Sequence, residues 1–268
     1  MNAPERFFMP DIQSSRDHRQ LAIQQVGVKG LRYPLTLLDA AGAAHPTVAT
    51  LAMTVGLPPE VKGTHMSRFV EILERPRAAL GLVDLRRLLQ ETLLHLQANA
   101  GRIEMKFPYF IRKQAPVSKV SSLLDLDAAI TVWRDAGGPI ETELEVTVAA
   151  TSLCPCSKEI SDYGAHNQRS HLTLRVRLLE DMNLEQLVRI AEDEASCEVF
   201  GLLKRPDEKW VTERAYDNPK FVEDMVRDVA GVMNREPRID AYVVESENFE
   251  SIHNHSAYAL IEHDKRSA

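Results

Sequence analysis

The chain has 268 residues, 44% hydrophobic and 26% charged, which is typical of a folded globular protein and excludes a disordered one. A formal net charge of −7, with no basic run longer than Lys204-Arg205, argues against a nucleic-acid-binding surface. Neither an apolar run of roughly 18 residues nor a secretory signal is present, and the three cysteines cannot form a disulfide framework, so we expect a reduced, cytoplasmic protein without a membrane segment.

The first half of the sequence predicts strands on either side of two helices. Residues 1–18 have no regular pattern and form a leading arm, and residues 48–57 have the apolar composition of a strand. Apolar residues three and four positions apart predict helices over residues 66–74 and 83–98. Alternation over residues 102–111 then predicts a half-buried strand.

The second half repeats this order of elements. Alternating apolar residues predict antiparallel strands over residues 141–148 and 171–179, preceded by a turn at residues 137–139. Further patterns predict helices over 184–203 and 219–235, and closing strands over 239–244 and 256–262. The sequence therefore predicts an α+β fold of two modules, residues 1–117 and 118–268, each with an antiparallel sheet backed by a pair of helices.

The densest chemical signal is Ser152-Leu153-Cys154-Pro155-Cys156-Ser157-Lys158, at the end of a predicted strand. If the backbone stays extended, the thiols of Cys154 and Cys156 point to the same face. A thiolate is a good ligand for a borderline metal such as Zn²⁺, and two buried, inert cysteines are the alternative. Cys197, alone on a predicted helix, is expected to be a core residue.

Other candidate residues are histidines and acids distant from these cysteines in the sequence. His166 lies in a polar loop and suits proton transfer at neutral pH, although a solvated loop histidine fits as well. Glu250 and His253 share a face only if the chain turns between them. Glu208, in a predicted charged loop, and Glu223, near the start of the last helix, have the pattern of surface acids.

A possible anion-binding segment, Lys62-Gly63-Thr64-His65-Met66-Ser67-Arg68-Phe69, opens the first predicted helix. Backbone amides at a helix start, together with Lys62, His65 and Arg68, have the character of an anion cradle. The alternative is an ordinary capped helix with Thr64 as its N-cap.

Several of these segments together resemble the prokaryotic GTP cyclohydrolase type IB family. The matching segments are Met9-Pro10-Asp11-Ile12-Gln13, residues 62–69, residues 152–157 and Gly164-Ala165-His166-Asn167-Gln168, with agreement at residues 205–208 and 250–253. The likeness runs in order over nearly the whole chain. It implies a tunnelling fold of two modules per subunit, in a homotetramer whose active sites lie at subunit interfaces.

The resemblance also implies a reaction: the conversion of GTP and water to 7,8-dihydroneopterin triphosphate and formate, the first step of tetrahydrofolate biosynthesis. By position, Cys154, Glu208 and His253 are implied to hold one divalent metal ion, zinc or manganese, with one coordination position open. Glu223 is implied to accept hydrogen bonds from the N1 and N2 donors of guanine.

In the implied mechanism, water activated by the metal attacks C8 of the purine. His166 donates or relays a proton as the ring opens, Glu250 positions a water or shuttles protons, and Cys156 handles protons nearby. The candidates for binding the triphosphate are Lys62, His65, Ser67 and Arg68.

Three other functions remain open at the level of sequence. A tunnelling-fold reductase of deazapurine nitriles would use Cys154 or Cys156 as a nucleophile with a nicotinamide cofactor, but it needs no metal ligands near the C-terminus. A non-catalytic purine- or pterin-binding scaffold would keep Glu223 and lose the metal. A zinc site that only holds subunits together is the third.

Overall fold

The structure is a computed structural model that describes residues 13, 15–39, 42–76 and 78–267. Residues 1–12, with most of the predicted leading arm and the Met9 to Ile12 segment, lie outside the described residues. In the described part of the chain, nine strands form one antiparallel sheet in the order β1-β2-β3-β4-β5-β6-β8-β9, and β7 pairs with β5. The strands are β1 (Ile23–Leu38), β2 (Ala44–Leu57), β3 (Gly101–Gln114), β4 (Ser121–Arg134), β5 (Ile140–Leu153), β6 (Asn167–Leu178), β7 (Cys197–Glu198), β8 (Ile239–Asn248) and β9 (Ala257–Asp264).

Six helices connect these strands within the same described ranges. They are α1 (Ser67–Leu73), α2 (Leu82–Leu96), α3 (Pro155–Ile160), α4 (Leu184–Asp193), α5 (Arg205–Asp217) and α6 (Val222–Arg235). The elements follow the predicted order of strands, helices and strands, twice. The predicted boundary near residue 117 falls in the turn between β3 and β4, and the sheet continues across it. The division into two modules therefore stays a proposal.

One face of the sheet carries the hydrophobic core. In β5, Leu144, Val146 and Val148 are buried on this face, while Glu143 and Glu145 alternate with them on the other. Helices α1, α2, α4 and α6 pack their apolar side chains on the same face in one continuous core. Each fully buried leucine or valine stabilises the fold by about 1.5–3 kcal/mol. No helix among the residues described is long and apolar enough to cross a membrane.

The predicted helix over residues 184–203 is wrong in its second half. Helix α4 ends well before residue 203, and Cys197 then pairs with Thr151 of β5 as part of β7. Ser196 Oγ accepts a hydrogen bond from Leu153 N at 3.1 Å. This bond fixes the segment between α4 and β7 against the end of β5. Cys197 is a buried core residue, as expected, but it lies on a strand.

The charged loop predicted over residues 205–210 is also wrong, because these residues form the first half of α5. Pro206 lies in the first helical turn, where an N–H group has no helical acceptor to bind. The Asp207 carboxylate accepts a hydrogen bond from Lys204 N at 2.8 Å and so caps the helix. Pro206 and Asp207 are both visible in the sequence, and together they indicate a helix that begins near residue 205.

Candidate active site

Most of the predicted site residues lie on one side of the sheet, where strands β5 and β8 end and strand β6 begins. Leu153, at the end of β5, pairs with Asn167 at the start of β6, and Ser170 of β6 pairs with Asn248 at the end of β8. Antiparallel pairing therefore brings together the residues just after β5, just before β6 and just after β8. We refer to this side of the molecule as the Cys154 edge.

Cys154 is the residue at which β5 ends and α3 begins. Its Sγ accepts a hydrogen bond from Ser157 N at 3.5 Å, and Pro155 occupies the first turn of the helix. The side chain is partly exposed, so its sulfur is accessible at the surface. Cys156 is exposed on α3, so the expectation of an extended backbone with both thiols on one strand face is wrong.

His166 and Glu250 meet in a hydrogen-bonded group centred on Gln168. The Gln168 side chain is buried, its Oε1 lies 2.9 Å from His166 Nδ1, and its Nε2 donates to Ser152 Oγ at 3.0 Å. Nε2 also donates to Glu250 Oε1 at 3.4 Å, and Glu250 Oε2 lies 4.0 Å from His166 Nδ1. An amide oxygen only accepts, so with Gln168 Oε1 facing the ring the hydrogen bond requires the proton to be on His166 Nδ1.

Gln168 is the member of this hydrogen-bonded group that the sequence analysis did not single out. It follows His166, which lies directly before β6, by two positions, but a buried glutamine has no signature of its own in a sequence. Its role becomes visible only when β8 brings Glu250 next to it. The one available signal was its place in the Gly164 to Gln168 segment.

Glu208 and Glu223 reach the Cys154 edge from two helices. Helix α5, which carries Glu208, packs against Leu153 through a small cluster that includes Ala215. Lys220 N donates to Leu153 O at 3.0 Å, which places the start of α6, and with it Glu223, at this edge. Both carboxylates are exposed, and no hydrogen bond or ion pair within the described ranges engages either of them.

His253 is exposed in the turn after β8, where its ring stacks on His255 with centroids 5.1 Å apart. The structure therefore places Cys154, Glu208 and His253 on elements of one edge. It does not gather their donor atoms, since no group of three or more His, Cys, Asp or Glu side chains in the described chain is arranged to hold a metal ion.

The predicted triphosphate residues lie at the opposite edge of the sheet. Val55 of β2 pairs with Gly101 of β3, and Arg134 of β4 pairs with Ile140, the first residue of β5. The end of β2 and the start of β5 therefore share an edge, and the 14 residues of β5 separate it from Cys154 by on the order of 45 Å. Within one chain, the Cys154 edge is too far to share a ligand with Lys62, His65, Ser67 and Arg68.

The local geometry of residues 62–69 also differs from the prediction. Thr64 is buried and is not the N-cap of α1, which begins at Ser67 with Met66 as its N-cap. No side chain caps this helix. Lys62 and Ser67 are exposed, whereas His65 and Arg68 are half-buried, so all four still lie at the surface.

A cavity of about 620 Å³ opens elsewhere, between the first turns of α2 and α4. Its lining includes Leu80, Leu144 and Tyr109, and the Tyr109 hydroxyl donates to Glu185 Oε1 at 2.6 Å. Burial, followed by the hydrogen bond with Glu185, raises the pKa of Tyr109. None of the predicted site residues lines this cavity, so it does not mark the candidate active site.

The three thiols differ enough in environment to be told apart by alkylation. Burial raises the pKa of Cys197 to about 11, with a further contribution from the nearby Glu198 carboxylate, so its thiol stays protonated at pH 8. We expect iodoacetamide at pH 8 to label Cys156 in the native protein and Cys197 only after unfolding, as measured by peptide mass spectrometry. Rapid native labelling of Cys197 would contradict its burial.

A nine-stranded antiparallel sheet with helices α1, α2, α4 and α6 packed on one face is the architecture of a tunnelling-fold protein. The solved uricase of Bacillus fastidious shares this fold, with a TM-score of 0.51 at 12% identity over 91% of this chain and 94% of that chain.

The family follows from sequence comparison. A model of the type I GTP cyclohydrolase folE2 family matches residues 9–259. The chain is 67% identical over 259 residues to GTP cyclohydrolase FolE2 1 of Dechloromonas aromatica, covering 97% of each chain. It is 62% identical over 260 residues to GTP cyclohydrolase FolE2 2 of Cupriavidus metallidurans, again covering 97% of each. The chain belongs to the type I GTP cyclohydrolase FolE2 family.

Proposed function

We propose that the chain is a metal-dependent GTP cyclohydrolase that converts GTP and water to 7,8-dihydroneopterin triphosphate and formate, the first step of tetrahydrofolate biosynthesis. The observation that carries this proposal is the convergence of Cys154, the His166–Gln168–Glu250 group and two unengaged carboxylates at one sheet edge. Relatives that are 58–67% identical over nearly their whole length are named GTP cyclohydrolases, which supports the same activity here.

The donor set at this edge fits one divalent metal ion held by Cys154, Glu208 and His253. The thiol is partly exposed, the carboxylate is exposed and unengaged, and the imidazole is exposed. Thiolate and imidazole suit zinc, and the carboxylate also allows manganese. When bound, such an ion supplies Lewis-acid polarisation. Because the isolated chain does not gather the three donors, the site has to be completed by metal binding or by a neighbouring subunit.

Proton transfer is the role of the group around Gln168. His166 donates its Nδ1 proton in a hydrogen bond to Gln168 Oε1, so its Nε2 accepts and returns protons as bonds of the imidazole ring of guanine break. Glu250, whose Oε2 lies 4.0 Å from His166 Nδ1, positions a water molecule or shuttles protons. Cys156, exposed on α3 two residues after Cys154, is the candidate for further proton handling.

Substrate recognition requires more than one subunit. Glu223, exposed in the first turn of α6, presents a carboxylate that matches the two adjacent N–H donors of guanine and not the adenine edge. Lys62, His65, Ser67 and Arg68 lie at the far edge of the same chain, so they bind the triphosphate of a GTP held by another subunit. A cytoplasmic homotetramer with active sites between subunits satisfies this arrangement.

The direct experiment is incubation of the purified protein with GTP and either Zn²⁺ or Mn²⁺. We expect stoichiometric formate and, after oxidation, a fluorescent pterin, with no product from ATP because Glu223 rejects the adenine edge. The proposal is rejected if folded protein that has bound the metal releases no formate with either Zn²⁺ or Mn²⁺.

Replacing Gln168 with alanine tests the proton-transfer group. Because Gln168 orients both His166 and Glu250, we expect kcat to fall by about 10- to 100-fold, part of the usual contribution of general acid–base catalysis. KM for GTP and the metal content should stay near their original values. Gln24→Ala, an exposed change on β1, serves as the matched control and should leave kcat unchanged. Equal kcat values for the two variants would remove Gln168 from the mechanism.

A further inference from the structure

Asp207, the residue before Glu208, has a fully buried carboxylate that connects two distant parts of the chain. Its Oδ1 accepts hydrogen bonds from Val117 N and Ser118 N, both at 2.8 Å, in the turn between β3 and β4. Its Oδ2 accepts from Ser118 Oγ at 2.5 Å and from Lys204 N at 2.8 Å. One side chain therefore both caps α5 and ties its first turn to the β3–β4 turn.

A second contact fixes the approach of the chain to this helix. A Cβ atom at Gly201 would lie 2.6 Å from Leu123 O, so the segment before α5 packs directly on the backbone of β4. The far end of α5 is held separately, since Lys158 Nζ donates to Tyr216 O at 2.5 Å and Asn218 Nδ2 donates to Ala195 O at 2.9 Å.

The Glu208 carboxylate has no such support of its own. It is exposed, and no hydrogen bond in the described part of the chain holds it, so the backbone of the first turn of α5 determines where it lies. That backbone is fixed by the adjacent Asp207. Residues that orient a metal ligand without touching the metal typically change metal affinity by about 10- to 100-fold when they are replaced.

We propose that Asp207 is a positioning residue for the metal site: by binding the β3–β4 turn it fixes Glu208 at the Cys154 edge and so sets the affinity for the metal. The inference rests on the proposed function, because it takes Glu208 as a ligand. It also makes the β3–β4 turn, which has no predicted site residue, part of the support of the site.

The test is Asp207→Asn, read out as the dissociation constant for Zn²⁺ in competition with a chromogenic chelator. The amide keeps the shape of the side chain but places an NH₂ group opposite the N–H and O–H donors, so the tie to the turn is weakened. We expect the Zn²⁺ dissociation constant to rise 10- to 100-fold, with kcat restored at saturating metal and KM for GTP unchanged. Asp217→Asn, an exposed change at the other end of α5, is the matched control and should leave the affinity unchanged.

Two further variants separate failure of this inference from failure of the proposed function. Glu208→Gln should lose metal; if its affinity equals that of the unmodified chain, Glu208 is not a ligand and the proposed ligand set fails. If Glu208→Gln loses metal while Asp207→Asn keeps its affinity within twofold, the positioning role is overturned. Should Asp207→Asn not fold, Ser118→Ala, which removes one hydrogen bond to the same carboxylate, decides instead: a threefold or larger loss of affinity supports the role, and an unchanged value overturns it.

Discussion

Replacing Cys154 with alanine is expected to remove the bound metal and to lower kcat for formate release by a thousandfold or more, about 4 kcal/mol of transition-state stabilisation. The reason is that Cys154 supplies the only thiolate in the proposed ligand set, and loss of one of three protein ligands leaves a carboxylate and an imidazole on separate, exposed elements. Metal content by mass spectrometry and formate release should fall in parallel.

The other two cysteines provide the controls for this result. Cys197→Ala removes a buried thiol on β7 and should retain both metal and turnover. Cys156→Ala, on α3, should keep the metal and lose activity only in part. Metal lost in Cys156→Ala but retained in Cys154→Ala would reverse the assignment of the ligand. Turnover that survives Cys154→Ala with no metal bound would reject the metal-dependent mechanism. An oligomer that dissociates on chelation before catalysis stops would indicate a structural zinc site.

Much of the fold is predictable because most strands and helices bury only one face. In β5 and β6 the alternation of apolar and polar residues predicts the strand and its orientation together. The alternation fails in β4, where Ala128 to Val132 are all buried, so both faces carry small or apolar residues and the pattern disappears. Strand β4 therefore has no counterpart in the sequence prediction. Helix α5 is missed for the opposite reason: only Asp207 and Ala215 are buried, and an exposed helix has almost no apolar face to detect.

The candidate site divides in the same way. Cys154 and His166 are singled out as candidates from local sequence, because each lies in a short segment of unusual composition. Gln168 and Asp207 are not, since each gains its role from a partner that is remote in sequence: Glu250 for the first, and Ser118 for the second. The assembly of the three metal donors is a further step that a single chain does not determine.

Replacing Lys113 with methionine is expected to lower the free energy of unfolding by about 3–5 kcal/mol, one of the largest effects available outside the candidate site. Lys113 is buried, and its Nζ donates to Glu192 at 2.5 Å, to Glu198 at 2.9 Å and to Val199 O at 2.9 Å. Methionine fills a similar volume but leaves two carboxylates facing each other without a counter-charge. Lys106→Met, on the same strand but in an exposed pair with Glu104, should cost less than about 1 kcal/mol.

The loss of stability caused by Lys113→Met should also depend on pH. The pKa of the Glu192 carboxyl group determines the direction of this dependence. Burial raises the pKa of Glu192, and the charge of Lys113 opposes that rise, so removal of Lys113 raises the pKa further. A carboxyl group whose pKa is higher in the folded than in the unfolded state stabilises the fold at low pH and loses that contribution as pH rises. The destabilisation measured by urea unfolding should therefore be larger at pH 8 than at pH 5, and adding Glu192→Gln should recover part of the loss at pH 8. A loss of equal size at both pH values would show that the methionine disturbs packing and that the unpaired carboxylates contribute little.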